Sequence, residues 1–392
     1  MRPLPDPDLS LRDASDFIFE SELCRVALKA PEPESLAVFL RDLIATIYRL
    51  TTSCHLAEFT DHGLNHLCSL VDRLSRWTTQ HDTAASRLVV KELGPSECAV
   101  LLLATLMHDI GMLSQRQEDM PGQQPQWESR GVEDLANWVR ATHIPRMKHL
   151  VTRLFEDSEH SGLIAHAVSQ RAFRVAEAHG SWPSEWGSIG FVNRDSGLAA
   201  MLAVADLLDE DSNRCDTETL LHHRSGTYLN CAHWIRHGLT GGRVLIQGGA
   251  IDVVLRRPPD TDAQLESVYR ALRNHYRICY LYLQELAQVG AGIVRIAFTP
   301  PDGCPQAIAP ELTGWKHLRG FGTQAAFVYH LLNSFMPQAL LDSSRLAPTE
   351  IQRLRALGLQ EIDLTEFQRI RGGIELHALE EQAFHALAGH VT

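Results

Sequence analysis

A histidine followed at once by an aspartate, His108-Asp109, stands at the end of the apolar run VLLLATLM. The pair offers one imidazole nitrogen and one carboxylate, enough to start a metal site or to let the carboxylate bridge two ions. Alone, such a dipeptide is common and is satisfied by a capping role. Its company changes the reading. Upstream, FTDHGLNHL carries His62 and His66 four residues apart, on one face of a helix. Downstream come His143 in ATHIPRMKH and His179 in VAEAHG, and Asp206 lies in the apolar stretch LAAMLAVADLL. A carboxylate there is costly unless it is paired or metal-bound. Histidines and aspartates spread in this way over separate segments form a mixed nitrogen and oxygen donor set, suited to a first-row transition metal.

In this order the residues resemble the HD superfamily of metal-dependent phosphohydrolases, whose ligands run H, HD, H, H, D. The resemblance spans about residues 50–215 and is strongest in TDHGLNH, LLLATLMHDIGM and LAVADLLDEDSNR. It implies metal ligation by His62, His108, Asp109, His143, His179 and Asp206, with His66 the rival of His62 and with Asp209 or Asp211 the rivals of Asp206. His62, His108, Asp109 and Asp206 would hold one ion, and His143 and His179 would complete a second site with Asp109 bridging. His108 and Asp109 would form the catalytic centre, where two ions clamp a phosphoryl group and activate a water. The implied cofactors are one or two divalent ions, Mn, Fe, Ni, Co, Zn or Mg. Arg146, Lys148 and Arg214 are the candidate phosphate-binding cations. Asp61 suits an outer partner of the site or a helix cap.

The implied activity is that of a phosphohydrolase or phosphodiesterase acting on a nucleotide or nucleotide-like second messenger. Departures narrow the substrate. The doublet is followed by Ile-Gly-Met, not by the Gly-Lys of cyclic-di-GMP phosphodiesterases, and no GYP motif follows. The Glu-Asp that follows the doublet in alarmone hydrolases is missing, as is the Pro-Pro-Phe-Gly-His extension of dNTP triphosphohydrolases. The alternatives are a nuclease on single-stranded nucleic acid, a nucleotide sensor without turnover, and a di-iron oxygenase with a similar ligand set.

The elements that must position these residues read as mainly α: an HD-type helical bundle with a small α+β appendage and a helical C-terminal region. Residues 1–33 form a Pro/Asp-rich leader and a helix, and residues 34–239 the HD-type domain. ESLAVFLRDLIATIYRL and GLNHLCSLVDRLSRW carry apolar residues at helical spacing. Ser96 is the expected cap of the helix before the doublet, and Gly111 its expected end. After Thr240, GGRVLIQ and AIDVVLRR alternate around Gly248-Gly249, a hairpin signal. A long amphipathic helix and the strand GIVRIAFT complete a module over 240–300, and 301–392 is a region of unassigned role. His222, His223, His233 and His237 fall outside the motif pattern and read as structural or partner-facing. The tryptophans and tyrosines at 182, 186, 276, 280 and 282 read as core or lid packing.

The composition fits a globular chain of 392 residues, with 44% hydrophobic and 21% charged residues. A net charge of −12 disfavours extended nucleic-acid binding without excluding a local basic pocket. Eight cysteines without a C-x-x-C pair point to reduced thiols and a cytoplasmic setting. The N-terminus has no apolar signal core, and the run Cys98 to Met107 is too short to span a bilayer. The expected partner is therefore a small nucleotide rather than a membrane, with residues 240–392 open to an oligomer or partner protein.

Overall fold

A computed structural model describes residues 9–54, 62–78, 93–113, 132–157, 166–179, 181, 183–209, 240–247, 250–255, 282–286 and 295–299. The described part is mainly α. In chain order its helices are α1 (Leu11–Glu20), α2 (Glu22–Ala27), α3 (Pro33–Cys54), α4 (Leu64–Thr78) and α5 (Pro95–Met107). Then follow α6 (Ile110–Leu113), α7 (Val132–Asp157), α8 (His166–Ala178), α9 (Asp195–Leu207) and α10 (Leu283–Leu286). Close packing divides the chain into two units, and the first comprises Met1–Asp209, Ile246–Gly249 and Tyr282–Ile293.

Two helices of the first unit are apolar all round. In α5 every residue from Cys98 to Met107 is buried, as is every residue of α9 from Gly197 to Ala205. A helix with no polar face belongs in a core. Accordingly α5 packs on α2, α4, α8 and α9, and α9 packs also on α4, α8 and α10. Pro95–Leu113 is long and apolar enough to cross a membrane, and most of it is buried inside the fold as a core segment. The amphipathic α1 and α2 lie against α3, α4 and α5, so the N-terminal helices belong to the same bundle. Ser21 separates them: its hydroxyl donates to Ile18 O (2.6 Å) and accepts from Cys24 N (3.1 Å). One side chain ends α1 and starts α2.

Two expected helix boundaries move. The cap of α5 is Gly94, not Ser96; Pro95 takes the first helical position and the Glu97 carboxylate accepts from Gly94 N (2.8 Å). Proline is suited there because its missing N–H would have no helical partner anyway. Gly111 does not end the helix but lies within α6, and the break falls at His108-Asp109. The reason is close packing. A Cβ at 111 would overlap the His143 carbonyl of α7 and stand 2.8 Å from Met147 N.

The second unit, taken by itself, holds β2 (Ala250–Leu255), β3 (Arg295–Thr299) and most of β1 (Thr240–Gln247). The sheet order is β1-β2-β3, with β2 and β3 parallel and Ile251 opposite Ile296. Parallel neighbours require a crossover. The long amphipathic helix read from the sequence between β2 and β3 lies outside the described residues except for Leu283–Leu286. Residues 301–392 lie outside them as well.

Candidate metal centre

Most of the candidate donors sit where helices end. His66 is in the first turn of α4, His108 and Asp109 join α5 to α6, His179 follows α8, and Asp206 is one residue from the end of α9. His143 alone among them lies far from a helix end, in the middle of α7. Three helix C-termini, those of α5, α8 and α9, thus meet at one place. Each carries partial negative charge, which favours a cation.

Side chains close those helix ends. His108 Nδ1 donates to Thr105 O (2.8 Å), Trp186 Nε1 to Ala178 O (3.2 Å), and Arg73 Nη1 to Leu208 O (2.5 Å). The first bond also settles a tautomer: with its proton on Nδ1, His108 presents the Nε2 lone pair. His66 does the same, because its Nδ1 stands 2.7 Å from the carboxylate of Asp209.

Around those two lone pairs gather two carboxylates. His66 Nε2 lies 3.5 Å from His108 Nε2, 3.4 Å from Asp206 Oδ1 and 3.9 Å from Asp109 Oδ2. His108 Nε2 lies 3.3 Å from Asp109 Oδ2 and 3.9 Å from Asp206 Oδ1. Donors bound tetrahedrally at about 2.1 Å from one ion stand about 3.4 Å apart, so these spacings fit a shared divalent ion. Four lone-pair groups so close, with both histidines 0% exposed, repel one another unless a cation or a proton lies among them. The fit therefore comes from the donor chemistry.

Without a metal ion, the proton takes that part. Burial opposes a charge on His108, but the charges of Asp109 and Asp206 overcome it and push its pKa up from 6.5 to about 10. Burial alone would raise Asp109, yet the positive ring of His108 holds it well below the ordinary 3.8. Asp206 is held low in the same way, against burial, by hydrogen bonds from His108 and His179.

A second donor group consists of Asp109, His143 and His179, so Asp109 belongs to both. His179 Nε2 lies 3.0 Å from Asp206 Oδ2, which joins the two groups by another route. His179 Nδ1 is buried and has no hydrogen-bond partner among the described residues. Trp186, bonded to Ala178 O and Ser181 O, fixes the chain on both sides of His179. It is core packing, edge-on to Phe191 and near Tyr282.

Of the residues singled out from the sequence, the structure brings together His108, Asp109, His143, His179 and Asp206. In the four-donor group it places His66, while His62 stands beside the His66 ring with centroids 5.9 Å apart. Asp209 lies behind His66 rather than among the donors. It also receives Ser69 Oγ and Arg73 Nη2, the latter at 3.3 Å. One signal in the sequence points to this: His66, Ser69 and Arg73 are spaced three and four apart and share a helix face. Arg146 is wholly buried in α7, and Lys148 is ion-paired with Glu177 of α8. Arg214, Asp61, Asp211 and the histidines at 222, 223, 233 and 237 lie outside the described residues.

A family model described as HD-CE matches residues 56–288. No curated protein and no solved structure matches the chain. Together with the His/Asp cluster, the family match points to a metal-dependent hydrolase.

Proposed function

The chain belongs to the HD-CE family, and on that premise we propose that it is a phosphohydrolase or phosphodiesterase acting on a nucleotide or nucleotide-like second messenger. The observation that carries this reading is the pair of donor groups sharing Asp109. His66, His108, Asp109 and Asp206 would hold one divalent ion, and Asp109, His143 and His179 a second. Ions bound there would polarise a phosphoryl oxygen and ease deprotonation of a water.

The protein's own residues supply the rest. Thr105 O and Asp209 hold the Nδ1 side of His108 and His66, which leaves both Nε2 lone pairs for the ion that the four-donor group would hold. The Asp109 carboxylate, with an oxygen at 3.3 Å from His108, links the two groups. Buried walls, from α5 and α9 above all, exclude bulk water and strengthen every interaction inside. Wholly buried Arg146, on the helix that carries His143, is the cation proposed to meet a phosphate oxygen. Lys148, engaged by Glu177, would have to exchange that partner to take part. The working setting we propose is the cytoplasm, with the region 240–392, including a small α+β module, available for self-association or a partner.

Metal-loaded protein incubated with a panel of nucleotides and cyclic nucleotides tests the reading. Metal-dependent turnover that disappears in the double variant His108→Ala, Asp109→Ala is the expected result. Absence of turnover on every phosphate ester and diester tried would refute it.

A further inference from the structure

We infer that Asp209 is a positioning residue for the metal centre, a role that rests on the metal-dependent reading above. It fixes His66 in the tautomer that directs a lone pair at the ion site and clamps the start of α4 to the end of α9. Asp209 is 0% exposed, yet it belongs to neither donor group. Its oxygens are turned the other way. One faces His66 Nδ1 at 2.7 Å, and the other receives Ser69 Oγ and Arg73 Nη2. A carboxylate only accepts hydrogen bonds, so the proton of the neutral His66 ring must lie on Nδ1.

The opposite tautomer would aim an N–H at His108 Nε2, 3.5 Å away, and leave the first group one donor short. Arg73 gives the device its rigidity. It balances the buried charge of Asp209 and also holds Leu208 O at 2.5 Å, two residues beyond Asp206. The same contacts that orient His66 therefore set the distance between the ligands contributed by α4 and α9. Outer partners of this kind commonly hold ligand orientation and metal affinity together.

Asp209→Asn keeps the shape but can turn an N–H toward His66, which releases the tautomer. The full-length variant is titrated with Mn²⁺ and with Zn²⁺ beside the wild type. Its affinity at the site of His66, His108, Asp109 and Asp206 is expected to fall about 10–100-fold. The side-chain ¹⁵N signals of His66, assigned by their loss in His66→Gln, are expected to shift away from a pure Nδ1–H form in the metal-free protein. Arg73→Gln should shift both readouts in the same direction by less, and carries the test if Asp209→Asn does not fold. Unchanged affinity, or weaker binding with an unchanged tautomer, would overturn the role of Asp209 while leaving the metal centre standing. A wild-type chain that bound neither ion would overturn both.

Discussion

At the scale of single residues, the centre is a balance between a proton and a metal ion. Four donors face inward, and in the metal-free protein His108 carries the neutralising proton. Its pKa is about 10 when folded against 6.5 ordinarily. The stability this contributes is complete below about pH 6.5 and is lost as pH rises through 10. Asp109 and Asp206, held low, act in the other direction and withdraw their contribution as pH falls below 3.8. With an ion bound, His108 is a neutral ligand and the first dependence disappears. Melting curves from pH 6.5 to 9.5 should therefore fall with pH for metal-free protein and stay level or rise for loaded protein; parallel curves would refute this. The two histidines four residues apart are separated just as directly. His66→Ala should weaken metal binding more than about 100-fold, and His62→Ala by far less, in calorimetric titrations.

The elements matter through their ends and their closest approaches. Helices α5, α8 and α9 end beside the centre, and His108, Trp186 and Arg73 each donate to one carbonyl at those ends. Trp186→Phe keeps the apolar bulk but removes the N–H that Ala178 O and Ser181 O accept, while Ala178 O keeps the Ser181 N–H, so the loss should cost about 0.5–1.5 kcal/mol in denaturant unfolding. It should also weaken the site that includes His179 more than the four-donor site. Gly111 acts by what it lacks. Any Cβ there would meet the α7 backbone at His143 and Met147, so α6 and α7 could not keep their spacing. Gly111→Ala should destabilise by about 1–3 kcal/mol through overpacking. Because His143 rides on α7, the number of ions bound should fall in this variant while the site of His66, His108, Asp109 and Asp206 keeps most of its affinity. Loss of both ions together would show that α6 positions the whole centre. Pro145, two residues beyond His143, cannot donate the helical bond to Ala141 O, so α7 lacks one ladder bond beside its ligand.

At the scale of the molecule, all the donors belong to the first unit, whose core is formed by α5 and α9. Six groups drawn from five segments meet there, so a bound ion ties together regions far apart in sequence. Binding only to the folded form stabilises it, by about 2.7 kcal/mol when free metal is a hundred times the dissociation constant. Chelation should accordingly lower the melting temperature, and restoring Mn²⁺ or Zn²⁺ should recover it. A chain whose melting ignored both treatments would not hold a structural or catalytic ion. The buried thiols are separate from this chemistry: burial pushes Cys24 and Cys98 up to about 12, so both stay protonated and inert near neutral pH.

The amino-acid pattern by itself determined the donor types, the helical class and the central place of His108-Asp109. These follow from local rules: helical periodicity, and the cost of a carboxylate such as Asp206 in an apolar helix. Tertiary structure alone put His66, and not His62, in the four-donor group, because residues one turn apart share a face and only the position of α9 separates them. It also gave Asp209 its place behind His66 instead of beside Asp206, and it turned Gly111 from an expected helix end into a point of contact. Each of these depends on distances between chain segments that sequence spacing does not encode.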